Sequence, residues 1–278
     1  MFYKYNKPKG IYANKAIRDL GKKINTKKIG HTGILDPLAS GLMIVATEED
    51  TKLLQYIENK TKTYLAKCKF GFKSDSYDID TEVINLNLPL VTKDEILKSI
   101  EIVKHFTEQI PPIYSAKKIN GKKAYDYARE KQQINLKPQK IKIYKLELID
   151  FSFEKQEATF YMHVSEGSYV RSILVDIAKQ FNNSCVMTEL KRIACGNIEL
   201  NSLLEDCYEE IKIDQIIQLP KFKLNDYEKE QLKYGRRFSS KLPNGVVFAL
   251  NSKNEIAAIG EIKENRFAPK KVFTERLK

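Results

Sequence analysis

The chain has no tryptophan, three histidines and four cysteines in 278 residues, and each scarcity excludes something. Cys68, Cys185, Cys195 and Cys207 stand at wide spacings without a CxxC or CxH pair, so a zinc cluster is disfavoured. His31, His105 and His163 offer no metal-ligand spacing either. No glycine-rich phosphate cradle is present either. Scattered thiols fit a reducing compartment, hence a cytoplasmic location. Clean apolar stretches such as residues 42–46 fall far short of the ~18–20 residues that span a bilayer. The opening Met-Phe-Tyr-Lys-Tyr-Asn lacks a signal peptide's apolar region. No membrane role is expected.

What the chain does have is positive charge, +12 net from 48 Lys+Arg against 36 Asp+Glu. Compositional drift would spread the excess evenly. Instead residues 101–145 and 221–278 each carry a net +7, whereas residues 146–220 carry −7. Two basic regions interleaved with tyrosine suit a polyanionic partner, and nucleic acid leads.

Periodicity supplies a coarse fold. Residues 2–6 read as an aromatic strand stopped by Pro8 and Gly10. Asn14 can cap a helix through Ile17, Leu20 and Ile24. Residues 29–41 read as an ordered loop, 42–46 as a buried strand, and 47–57 as a helix. Alternation of Tyr64, Ala66, Cys68 and Phe70 predicts a strand. Thr92-Lys-Asp-Glu is a capping box opening a helix. Asn120-Gly121 marks a turn, residues 141–164 are β-rich, and 169–181 return to helical spacing. Helices and strands mix without strict βαβ alternation. The expected class is therefore α+β, a mixed and mostly antiparallel sheet flanked by helices. The texture changes near residue 220, dividing the chain into 1–220 and a small, basic, β-rich module over 221–278.

The informative stretch is Gly30-His-Thr-Gly-Ile-Leu-Asp-Pro-Leu-Ala-Ser-Gly41. Proline restricts the residue before it, so Asp36 cannot easily continue a helix. Glycines around it permit close backbone approach, and the carboxylate is presented from a rigid loop. A turn aspartate that merely caps the next element remains open on these residues alone.

The stretch closely resembles the signature of the TruB family of tRNA pseudouridine synthases, with Ile34 where a smaller residue is usual. Further elements resemble the family in the same order: Lys7-Pro8-Lys9-Gly10, Lys62-Thr63-Tyr64, the run from Ile110 to Ala116 with Gly121–Tyr125 after it, Gly167-Ser-Tyr-Val-Arg-Ser172, and Leu190-Lys191-Arg192. Tyr12-Ala13 stands where the family usually has a serine pair. The segment 221–278 loosely resembles a PUA-like RNA-binding module.

The resemblance implies the pseudouridine synthase fold and isomerisation of the uridine at position 55 in the tRNA T loop. The C1′–N1 bond breaks, the uracil turns, and C1′ joins C5, a reaction that needs no cofactor or metal. Asp36 would be the essential carboxylate, Arg171 its partner, and Tyr64 the residue that stacks on the flipped base and manages the C5 proton. Such a base must first leave its stack. His31 would occupy the space vacated by the flipped base or stack nearby, Lys7 would shape the pocket, Leu190 would line its apolar side and Tyr169 would bind substrate, while Lys117, Lys122 and Lys123 would meet phosphates, which position RNA without reading its sequence. The implied partner is the tRNA T arm, without an obligate protein partner. A stand-alone synthase for another RNA uridine, or an RNA-binding, tRNA-folding protein with dispensable catalysis, are the alternatives.

Overall fold

The computed structural model describes all residues except Ala116, Asn120, Lys131, Gln133 and Lys278, and only the backbone of Lys118, Ile119, Lys123 and Arg129. The turn expected at Asn120-Gly121 therefore lies partly outside the described residues. Two compact units divide the chain, Met1–Ile216 and Ile217–Lys278.

The first unit is built on a nine-stranded sheet. Its strands are β1 (Phe2–Lys7), β2 (Ile29–Thr32), β3 (Ser40–Thr47), β4 (Lys62–Phe70), β5 (Ile143–Ser152), β6 (Glu157–Val164), β7 (Cys185–Cys195), β8 (Ile198–Glu199) and β9 (Tyr208–Ile211). Their order is β5-β6-β4-β7-β3-β1-β9, with β2 on β3 and β8 on β7. Every pairing in this sheet is antiparallel except β7 with β3, where Lys191 faces Ser40 and Arg192 faces Gly41. That one parallel contact places the end of the aspartate loop against the middle of β7.

Strand patterning decides which face is covered. On β4 the side chains of Tyr64, Ala66, Cys68 and Phe70 are buried while Leu65, Lys67 and Lys69 stay half-exposed, the period-two alternation of a one-sided strand. Ala158, Phe160, Met162 and Val164 repeat it on β6. Two helices cover this face, α2 (Lys93–Val103) and α4 (Val170–Lys179), with α1 (Ala13–Lys23) and the short α3 (Ala124–Arg129) completing the unit. Helix α2 begins at a complete capping box, Thr92 with Glu95, and turns Ile96, Ile100 and Val103 inward. Ser99 Oγ donates to the Ile177 carbonyl at 2.8 Å, fastening α2 to α4. Full burial of each such aliphatic side chain is worth about 1.5–3 kcal/mol.

Three local expectations are corrected. Residues 29–32 form strand β2 rather than loop, because they pair in register with β3. Residues 48–56 form a 3₁₀ helix rather than an α-helix; Glu48 enters it at a left-handed φ of 49°, and the segment packs against β2 and β3. Helix α1 starts after Tyr12, and Asn14 lies inside its first turn.

The second unit holds a five-stranded sheet. Strands β10 (Lys221–Lys223), β11 (Phe238–Ser239), β12 (Gly245–Leu250), β13 (Ile256–Lys263) and β14 (Arg266–Val272) pack with α5 (Asp226–Lys233). The order is β10-β12-β13-β14-β11. Phe267 centres the core, 5.0 Å from Phe238 and 5.4 Å from Phe222 between ring centroids.

Candidate active site

The loop between β2 and β3 is held from three sides. Gly10 N–H donates to the Pro37 carbonyl at 2.8 Å, joining the Lys-Pro-x-Gly element to the Asp-Pro turn, and Ala39 N–H donates to the Asp36 carbonyl at 3.1 Å. Arg192 on β7 holds the other end, donating from Nε to Leu42 O at 2.6 Å and from Nη2 to Gly33 O at 3.1 Å. Gly41 is at φ +109°, and a Cβ there would stand 2.2 Å from the Arg192 carbonyl oxygen. The last glycine of the motif is therefore imposed by the parallel strand contact.

These restraints aim the Asp36 carboxylate at Arg171. Asp36 Oδ2 lies 2.8 Å from Arg171 Nη2, the carboxylate side chain 37% exposed and the arginine 5%. Arg171, in the first turn of α4, is anchored before Asp36 is counted. It donates from Nη1 to Ser76 O at 2.7 Å and from Nη2 to Tyr114 O at 3.0 Å. Asp78 Oδ2 lies 3.3 Å from Nη1. A planar fork satisfied on several sides is a fixed reference for the carboxylate it holds.

Asp36 and Arg171 line two cavities. One of 400 Å³ is walled by Leu35, Val170, Leu190, Tyr64 and Tyr169, with Lys62 and Arg192 also in its lining. The other, of 590 Å³, extends past Tyr12, Tyr114, Tyr125, Asp78 and Asp80. Tyr64 lies on the buried face of β4, opposite Arg192 in register. Burial pushes its hydroxyl pKa up, against the pull of the neighbouring Arg192 guanidinium. The first cavity is a slot with two tyrosines and aliphatic side chains on its walls, and with Ser115, Gln139, Ser165, Glu166 and Ser168 as polar lining. Such a lining suits a flat ring with polar edges held beside Asp36.

The other residues singled out in the sequence divide clearly. Tyr169 and Leu190 line the slot with Tyr64. Gln109 holds Tyr169 by accepting from its N–H at 2.8 Å and donating to its carbonyl at 3.0 Å. Lys117 also reaches the lining, where its Nζ donates to Gln139 Oε1 at 3.0 Å. Lys122 is paired with Glu130 at 2.5 Å, over the Tyr127 ring, and the side chain of Lys123 lies outside the described residues. His31 does not line either cavity; its Nε2 stands 3.3 Å from Asn14 Oδ1, and burial lowers its pKa, with Arg192 pushing the same way. Lys7, expected to shape the pocket, does not line either cavity. It is fully buried, donates to Pro8 O at 2.8 Å and Ile11 O at 2.7 Å, and so braces the loop from behind.

Asp78, Lys62 and the role of Arg192 were missed in the sequence. Asp78 follows Ser74 and Ser76, and both hydroxyls donate to it, so the Ser-x-Ser-x-Asp run was the available signal. Lys62 and Arg192 sit inside family-like motifs, but nothing in their spacing says that a strand buries them. Among the described residues no group of three or more His, Cys, Asp or Glu is placed to hold a metal ion.

The sequence pattern of the TruB family pseudouridylate synthase N-terminal domain matches residues 21–170. Among curated relatives, the tRNA pseudouridine synthase B of Mesomycoplasma hyopneumoniae is 40% identical over 98% of this chain and 82% of its own length. That of Mycoplasmopsis pulmonis is 37% identical over 100% and 96%, and that of Aquifex aeolicus 32% over 96% and 97%. Among solved structures, a Cbf5-Nop10-Gar1 complex contains a chain similar at TM-score 0.69 with 19% identity, covering 99% of this chain and 86% of that one. An H/ACA RNP bound to a substrate RNA gives TM-score 0.66 with 18% identity, covering 98% and 84%. At such identities the structural likeness speaks for the shared fold alone.

Proposed function

The chain belongs to the TruB family of pseudouridylate synthases, and from that premise we propose that it isomerises uridine to pseudouridine in tRNA, at position 55 of the T loop. The observation that carries the reading is the half-exposed Asp36 carboxylate, fixed at 2.8 Å on a buried guanidinium beside a tyrosine-walled slot. A uridine flipped out of its stack, at a cost of a few kcal/mol, places its base against Tyr64 and its C1′ toward Asp36. The ionised carboxylate then acts on the sugar or base as the glycosidic bond breaks. Tyr64 borders the ring and, as the family resemblance implies, manages the C5 proton, while Leu190 and Tyr169 keep water from the detached base.

The RNA grip is read from charge. Lys117 at the slot supplies a phosphate contact, and the segment 221–278, with 14 Lys+Arg against 7 Asp+Glu, serves as a PUA-like second handhold. The enzyme works on free tRNA in the cytoplasm without an obligate protein partner.

The test is incubation with unmodified tRNA transcript followed by pseudouridine mapping. Pseudouridine forms at the T-loop uridine, and Asp36→Asn binds tRNA as before but does not turn it over. Modification at another uridine, or an Asn variant retaining a tenth of the rate, overturns the assignment. Binding without any turnover by the wild type favours a tRNA-folding role.

A further inference from the structure

Lys62 is a buried cation for which the reaction as described has no use. It opens β4 two residues before Tyr64, and both side chains are on the strand's buried face, the neighbour relation that a period of two imposes. It lines the same slot as Asp36, Tyr64 and Leu190. The residue is 9% exposed. Its Nζ donates to the Lys60 carbonyl at 3.1 Å, and among the described residues it forms no ion pair with a carboxylate. Gly33, three residues before Asp36, lets the loop pack close to it: a Cβ there would already touch both Lys62 Cε and Arg192 Nη1 at 3.4 Å. An ammonium taken out of water with one carbonyl for company is a cost to the fold. Burial lowers its pKa, and the neighbouring Arg192 and Lys60 push the same way against Cys195 and Glu166. Arg192 has carbonyl partners in Leu42 and Gly33; Lys62 has ammonium protons to spare.

We propose that Lys62 stabilises the departing base, its ammonium donating a hydrogen bond to a carbonyl oxygen of the flipped uracil as the C1′–N1 bond breaks. The inference rests on the pseudouridine synthase reading above. When that bond breaks, its electron pair leaves with the ring and is spread over N1, O2 and O4. The oxygen that faces Lys62 becomes a far better acceptor than it was in the bound uridine, so the contact strengthens toward the transition state, which is the condition for it to raise the rate. The pair is drawn back when C5 bonds to C1′; the C5 proton then departs, N1 takes up a proton, and substrate and product are isomers. Lys62 keeps its own proton throughout. A base carbonyl is favoured over a phosphate because Lys62 shares its slot with Tyr64, Leu190 and the carboxylates of Asp36 and Glu166, which favour an uncharged ring over an anion.

The test uses a T-arm hairpin carrying the target uridine, with Lys62→Met, Lys62→Gln and Lys62→Arg compared to wild type. Single-turnover rates at saturating RNA are expected to fall about 10²-fold in both neutral variants, the loss usual for one preorganised donor to a developing oxyanion, and to recover about tenfold in Lys62→Arg. The hairpin Kd and its salt dependence stay unchanged. Melting temperatures of the neutral variants stay level or rise, since an unpaired buried charge is gone. Rates within threefold of wild type in the neutral variants overturn the inference. So does a loss confined to Kd with a salt slope lowered by about 0.7–0.9, the mark of a phosphate contact. A wild type that makes no pseudouridine in hairpin or tRNA instead defeats the functional reading itself.

Discussion

Asp78 grips the same guanidinium as Asp36, through the other terminal nitrogen, 3.3 Å from Arg171 Nη1. Asp78 is 2% exposed, with its second oxygen occupied by Ser76 Oγ and by the Asp80 N–H at 3.0 Å. Arg171 thus carries one accessible carboxylate and one hidden carboxylate on a single cation. The hidden one fixes where the cation sits, and the cation fixes Asp36.

Asp78→Asn should therefore act at a distance. Breaking one side of a buried ion pair costs about 3–5 kcal/mol of stability, and the freed guanidinium no longer holds Asp36 in one place. The rate at saturating RNA is expected to fall by about tenfold to a hundredfold with Kd unchanged, as for any 1 Å misplacement of a reacting group. Single-turnover kinetics together with a denaturant melt check it; a full rate in a destabilised protein would confine Asp78 to holding the fold.

The turn at Asp36-Pro37 was legible in the sequence because its requirements are local. Asp-Pro sets a turn, and the glycines mark close approaches. Strands such as β4 and β6 were legible from alternation, and the Thr92 capping box from four adjacent residues. What could not be read depends on pairing between distant segments. Arg192 becomes buried because β7 runs parallel to β3 at that point alone, and Lys7 turns inward because the Pro8–Ile11 loop offers two carbonyls. Residues 29–32 became a strand for the same reason, since only β3 supplies their partners. The 3₁₀ form of 48–56 follows from a left-handed entry at Glu48 that no periodicity encodes.

The parallel contact gives a steric prediction. Gly41→Ala would put a Cβ 2.2 Å from Arg192 O and 2.7 Å from Arg192 N, and neither backbone atom can yield without parting β3 from β7. A loss of about 4 kcal/mol or more is expected, in the range that marks a broken structural requirement. Gly71 is the control: its φ is +83°, but a Cβ added there would meet nothing within 4 Å. Gly71→Ala should therefore show only the left-handed strain of about 1–2 kcal/mol. Equal losses in the two variants, read from urea melts, would remove the steric argument.

Lys7 gives a pH signature in stability. Burial lowers its pKa to about 8, with Asp36 pulling the other way, whereas in the unfolded chain it returns to ~10.4. Between these values the unfolded state binds one proton more than the folded state, so stability rises with pH. Below about 8 both states are charged and the burial penalty is carried in full. The gain across the window is on the order of 3 kcal/mol at most. Other lysines and tyrosines titrate nearby, so the measurement is the difference between wild type and Lys7→Met in melts from about pH 7 to 10.5. That difference should change with pH and level off at both ends; a constant offset would mean that Lys7 keeps an ordinary pKa.

Removing residues 221–278 should separate grip from chemistry. The segment carries a net +7 and none of the residues that line the slot with Asp36. A truncated chain with an intact melting transition is expected to bind tRNA more weakly, with the loss in KM and the rate at saturating tRNA preserved. Each phosphate contact contributes about 0.7–0.9 to the slope of log K against log salt, so losing two or three should lower it by about two. A T-arm hairpin should feel the truncation less than whole tRNA, because phosphates beyond the arm are those a second handhold would reach. An unchanged slope on whole tRNA would show that the charge of this segment meets only solvent.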